Sequence, residues 1–196
     1  MSFHKIAMKY LAFCKPFEVL SQFTDSKGRD TLKNYIQDEQ VYPVGRLDYR
    51  SEGLLILSDD GVFIRRMSDP RFNHPKTYLA QVEGTATPTN IERLNTELLI
   101  PGFQTKIVQA TIVAPPDIFP RTIPVRDYHP TTWLQITLTE GKKHQVRRLT
   151  AAVGCPTLRL IRIAIGSISL GNQKPGEWRY LSNSELKQVR MELGIR

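Results

Sequence analysis

Cysteine is scarce in this chain. Two in 196 residues, Cys14 and Cys155, cannot build a disulfide framework. Four histidines are scattered without metal-ligand spacing, so no structural metal is expected. Apolar runs are short: "GLLIL" at 53–57 falls far below the roughly 20 residues of a membrane-spanning helix. The N-terminal "IAMKYLAFC" is broken by Lys9 and followed by Lys15-Pro16, which reads as a strand rather than a signal peptide. No glycine-rich phosphate loop is present either. These absences exclude a secreted disulfide scaffold and a helical membrane protein, and a cytoplasmic location is expected.

What is abundant is positive charge. Twenty-seven Lys and Arg against 19 Asp and Glu give a net charge of +8, which favours a polyanionic partner. The excess is concentrated. Residues 140–166 hold six Lys or Arg and one acid, whereas residues 45–61 hold four acids and two arginines. A basic surface with a local acidic spot suits an anion binder that carries a reactive carboxylate.

The chain is long enough for one substantial domain, or two closely packed halves, over a buried core. Strands are expected at "KYLAFCKP", "VYPVGRL" and "LLILS", then at "KTYLAQVEG", "TKIVQATIVAP", "TTWLQITLTEG" and "TLRLIRIAIG". Helices are expected at 30–37 with Asp30 as cap, at 59–70 behind Asp59-Asp60-Gly61, and at 87–99 entered through Pro88. Two more are expected at 143–154 and 182–194. Five prolines in residues 114–130 forbid regular structure and imply an ordered excursion. Strands and helices mix without strict β-α-β alternation, which predicts an α+β fold on a mainly antiparallel sheet.

Three constellations can carry chemistry. In "VGRLDYRSEGLLILSDDG", Asp48 leaves an extended segment at a sharp turn, so its carboxylate can project from a rigid edge, with Arg46 two residues away on the same face. Glu52 reads as a turn or capping acid. In "KHQVRRLTAAVG" the burial of Val146, Leu149 and Val153 sets Lys143 one turn from Arg147 and His144 one turn from Arg148. Such a basic face is either simply solvated, or divided between a guanidinium that holds a carboxylate ionised and others that meet phosphates. Tyr78, beside Lys76 at a strand start, is either core packing or a stacking platform for a base.

"GRLDYRSEGLLILSDDG" resembles the Asp-containing motif of the RsuA/RluB/E/F family of pseudouridine synthases. "HPKTYLAQVEG" resembles the tyrosine strand of that family and "EGKKHQVRRL" its arginine-bearing helix, and the likeness runs from Lys15-Pro16 to "GEW" at 176–178. Lys143-His144 stands where Asn-Arg is usual, and Ser58-Asp59 replaces Thr-Asn. Only 14 residues precede the Lys-Pro pair, so no S4 RNA-binding domain is expected in front of it.

The resemblance implies a pseudouridine synthase fold with a central basic cleft, in a single catalytic domain over 1–196. It implies isomerisation of one uridine in 23S ribosomal RNA by a monomer, with no membrane partner and no cofactor. Asp48 would be the catalytic carboxylate, Arg147 would pair with it, and Tyr78 would stack on the flipped base. Arg46 would fill the gap the base leaves, Leu149 would line the pocket, and Lys76, Lys143, His144 and Arg148 would meet RNA. The rival readings are a non-catalytic RNA-binding or ribosome-assembly protein using the same groove, and a glycosidase using Asp48 with Glu52. The glycosidase would need its carboxylates about 5–9.5 Å apart.

Overall fold

The computed structural model of the protein describes residues 8–38, 40–126 and 128–195. Its strands are β1 (Tyr10–Lys15), β2 (Tyr42–Val44), β3 (Glu52–Ser58), β4 (Lys76–Glu83), β5 (Leu99–Ile100) and β6 (Phe103–Gln104). They continue with β7 (Gln109–Val113), β8 (Thr131–Leu138), β9 (Thr157–Ile165), β10 (Ile168–Ser169) and β11 (Trp178–Tyr180). The α-helices are α1 (Gly61–Ser68), α2 (Pro88–Leu94), α3 (Gln145–Ala152) and α4 (Asn183–Glu192).

One mixed sheet dominates, ordered β11-β1-β3-β9-β4-β8-β7, with β2 also pairing β3 and β10 pairing β9. Its paired strands are antiparallel except β3 with β9. The fold is therefore α+β on a mainly antiparallel sheet, as its sequence pattern requires.

β1 and β3 are buried along their whole length, which explains why "YLAFC" and "LLIL" are apolar without alternation. Leu11, Phe13, Leu55 and Leu57 share one core with Tyr78, Leu134, Ile136 and Val146 and Leu149 of α3. Their neighbours Tyr10, Ala12, Leu54 and Ile56 point to a second core with Phe63 and Met67 of α1 and Val189 of α4. β8 alternates as a half-buried strand should, with Leu134, Ile136 and Leu138 inward and Gln135 outward.

The cap expected at Asp59-Asp60-Gly61 is present: the Asp60 carboxylate accepts from the amides of Val62 and Phe63 at 3.0 and 3.1 Å. Segment 30–37 differs from expectation. Only the 3₁₀ turn Leu32–Asn34 forms, and its cap is Thr31, whose amide donates to Asn34 Oδ1 at 3.0 Å, while the Asp30 carboxylate accepts from the Asn34 side chain at 3.1 Å. α3 also starts later than expected, at Gln145, since His144 lies in the left-handed region at φ 53° and breaks the helix before it. Among its described residues, the proline-rich excursion contains no helix or strand. Its Ile118 and Phe119 pack on the second core beside Trp133 and Ile163.

Candidate active site

Asp48 lies on the segment that joins β2 to β3. Gly45, at φ +67°, ends the strand before Arg46 is reached, so Arg46 and Asp48 occupy a turn rather than one face of a strand. The Ser51 amide closes that turn on the Asp48 carbonyl at 3.0 Å.

The backbone on both sides of Asp48 is tied down. Arg162 Nη2 donates to the Gly45 carbonyl at 3.2 Å, and its Nε to the Leu54 carbonyl at 2.8 Å. Ser21 Oγ donates to the Leu47 carbonyl at 2.9 Å and accepts from the Leu47 amide at 3.1 Å. Lys15 Nζ reaches the Tyr49 carbonyl at 3.4 Å while donating to Pro16 and Val19 at 2.8 and 2.7 Å. Arg147 Nη2 donates to the Arg50 carbonyl at 2.8 Å and its Nη1 to Thr157 at 3.1 Å. Four side chains, two from residues 15–21, one from α3 and one from β9, thus hold residues 45, 47, 49 and 50, and two of them are guanidiniums. This arrangement fixes the position of the Asp48 carboxylate and surrounds it with positive potential.

The carboxylate itself stays accessible, with 38% of its side chain exposed, and the imidazole Nε2 of His144 lies 3.4 Å from it. The expected pairing with Arg147 is not a direct one: among the described residues no ion pair within 4.0 Å joins them. Burial pushes the Arg147 guanidinium down, and the nearby Asp48 charge pushes it back up, so the two remain electrostatically coupled.

Asp48 faces a cavity of about 620 Å³ whose wall includes Arg46, Lys76, Tyr78, Lys143 and His144. Tyr78 is buried on β4 opposite Arg162 of β9. Lys76 donates to the His74 carbonyl at 3.2 Å, and its pKa is lowered by burial first and by Arg162 second. The same cavity therefore gathers six of the nine expected residues.

The other three sit elsewhere. Leu149 is fully buried in the first core rather than in the cavity wall, on the apolar face it shares with Val146 and Val153. Arg148 lies over the Phe103 ring at 4.6 Å, alongside Lys142 Nζ at 4.2 Å, so it faces the β5–β6 hairpin. Arg147 acts from behind the turn. Glu52 is no turn acid: it opens β3, 1% exposed, and accepts two bonds from Arg159 at 3.0 and 2.9 Å. Glu52 does not line this cavity and both its oxygens are taken by Arg159, so it does not serve as a second carboxylate there.

Lys15, Ser21 and Arg162 do not stand out from residue type alone. Signals for two of them are nonetheless present: a lysine immediately before the proline that ends an apolar strand, and an arginine inside the apolar run of β9.

The buried Lys15 gives stability a pH dependence. Burial pushes its ammonium down to about 7, against the pull of Glu52 and Asp48. The unfolded chain keeps that proton to about pH 10.4, so above pH 7 it binds more protons than the folded one and stability rises. Cys14 and Tyr10, raised to about 12, act in the opposite sense once their unfolded forms ionise above about pH 9. The melting temperature is expected to climb between about pH 7 and about 8.5 in the wild type and to stay flatter in Lys15→Met.

The family described as RNA pseudouridylate synthase matches residues 9–152 of this chain. The chain belongs to that family. Ribosomal large subunit pseudouridine synthase E of Vibrio vulnificus is 44% identical over 176 residues, covering 89% of this chain and 75% of the relative. Its namesake from Xanthomonas campestris is 45% identical over 170 residues, covering 84% and 91%. Among solved structures, a pseudouridylate synthase superposes with a TM-score of 0.79 at 25% identity, over 93% of this chain and 74% of that one. The chain is thus an RNA pseudouridine synthase, an isomerase. The glycosidase reading fails on both the family and the placement of Glu52.

Proposed function

We propose that this synthase converts one uridine of the large-subunit (23S) ribosomal RNA to pseudouridine, acting as a monomer in the cytoplasm with Asp48 as its working carboxylate. The observation that carries the proposal is a half-exposed carboxylate on a clamped turn, facing a cavity lined with Arg46, Lys76, Tyr78 and Lys143. Names of relatives that include the large ribosomal subunit support the choice of RNA.

The reaction breaks the N1–C1′ bond, turns the base and joins C5 to C1′, releasing the C5 proton to solvent. Substrate and product are isomers, so no oxidation level changes. The target nucleotide leaves the RNA stack to reach the cavity, and Arg46, exposed at its rim, fills the gap. Asp48 adds to C1′ or to C6 of the base, or assists departure of the base through a glycal-like route. Tyr78 stacks on the extruded base. Arg147 holds the turn and favours the ionised carboxylate at longer range. Lys76, Lys143 and His144 face the phosphates or, for His144, the carboxylate itself.

Carbodiimide mapping of pseudouridine in 23S rRNA from a strain lacking the gene is expected to show one site lost and restored by the wild-type protein. Full modification in the deletion strain would reject the rRNA target. A site restored equally well by Asp48→Asn would favour the non-catalytic binding protein.

A further inference from the structure

The proline-rich excursion lines no part of the cavity, yet it carries a partly buried cation. Arg121 is half-buried and has no carboxylate within 4.0 Å among the described residues. Its guanidinium lies over the Phe17 ring at 4.3 Å. It donates to the carbonyls of Ile123, Pro124 (3.1 Å) and Leu158 (3.4 Å), which occupy three of its five N–H groups. Burial and the neighbouring Arg159 both push its pKa down, while Glu52 and Glu18 pull it up. Leu158 adjoins Thr157, whose carbonyl takes Arg147, and Arg147 bonds the Arg50 carbonyl. Arg50 projects to solvent with 73% of its side chain exposed, and it pairs with Glu18 at 3.6 Å.

Arg50, Arg121 and Arg147 therefore cluster near the Asp48 turn, with Phe17 beneath Arg121, Glu18 beside Arg50, and Glu52 and Asp48 acting on the guanidiniums at longer range. None of the three lines the cavity. Holding a stacked, half-buried guanidinium without a counter-ion costs stability, and rigid prolines at 120 and 124 keep the loop where that cost is incurred. An anion bound from outside would offset it.

We propose that Phe17, Arg50 and Arg121 form a shelf for the RNA backbone that flanks the extruded uridine, with the guanidiniums contacting phosphates. A base can also stack on the outer face of Arg121. The inference rests on the reading of the chain as a synthase acting on 23S rRNA. It places a contact outside the cavity, on the segment that separates β7 from β8.

The test uses full-length 23S rRNA transcribed in vitro and labelled with tritium at uridine C5. Filter binding from about 50 to about 200 mM KCl gives Kd and its salt slope, and tritium release gives kcat and KM. Arg121→Gln and Arg50→Gln are each expected to raise Kd and KM about five- to ten-fold, to leave kcat within about two-fold, and to lower the salt slope by about 1. Lys187→Gln, an exposed charge on α4, serves as the control and is expected to match the wild type. Affinity and slope equal to that control in both variants would overturn the shelf. If Arg121→Gln loses its melting transition, the highly exposed Arg50 decides alone. Wild-type protein that binds with an Arg50- and Arg121-dependent slope but releases no tritium would leave the shelf standing and overturn the rRNA reading.

Discussion

Asp48→Asn is expected to abolish tritium release from C5-labelled 23S rRNA, by about 10⁴-fold or more, while RNA affinity stays within about two-fold. Asparagine has the same shape and lacks only the charge. The turn does not depend on that charge, because its anchors are the backbone groups of residues 45, 47, 49 and 50, held by Arg162, Ser21, Lys15 and Arg147. Thermal stability should therefore be unchanged to within about 0.5 kcal/mol, as for substitutions that break no buried contact. The variant separates binding from chemistry. Wild-type release by a folded Asp48→Asn protein would move the catalytic role to another group in the cavity.

Gly53→Ala should have the largest effect on the fold. Gly53 sits at φ +95°, where side chains are strained, and pairs with Arg162 across the parallel contact of β3 with β9. An added Cβ would lie 2.3 Å from the Arg162 carbonyl oxygen and 2.9 Å from Ile161 Cγ2. Both strands are buried and cannot move apart without opening the two cores. A loss of about 4 kcal/mol or more, or roughly 10 °C in melting temperature, is expected by urea and thermal denaturation. The carbonyl that meets the Cβ belongs to the residue whose guanidinium holds Gly45 and Leu54, so activity should fall even in the fraction that stays folded. A variant that melts with the wild type would show that β3 and β9 can separate freely.

Local signals in the sequence locate most of the architecture. Continuous apolar runs mark the doubly buried β1 and β3, alternation marks β8, and Asp60 followed by glycine marks the start of α1. In the cavity, Arg46 is legible beside Gly45 and Lys76 at the start of β4, whereas Asp48, Tyr78, Lys143 and His144 are marked by residue type within their motifs. What local patterns cannot supply is pairing at long range. Glu52 reads as a turn acid until Arg159, 107 positions away, is seen to bond both its oxygens. The helical spacing from 143 assigns Lys143 and His144 to α3, but a single left-handed residue moves its start to Gln145, and the stacking of Arg148 on Phe103 is a distant pairing that no local pattern shows. The short strands Ile168–Ser169 and Trp178–Tyr180 carry no periodicity of their own and exist because β9 and β1 offer open edges.

The four tethers around residue 48 come from positions 15, 21, 147 and 162, nearly the two ends of the fold. Closing loops of that length is slow, and no early folding intermediate that lacks β9 and α3 can contain the finished turn. Catalytic competence should therefore emerge only with the last long-range pairings, which makes recovered activity during refolding a late, all-or-none report that the native topology is complete.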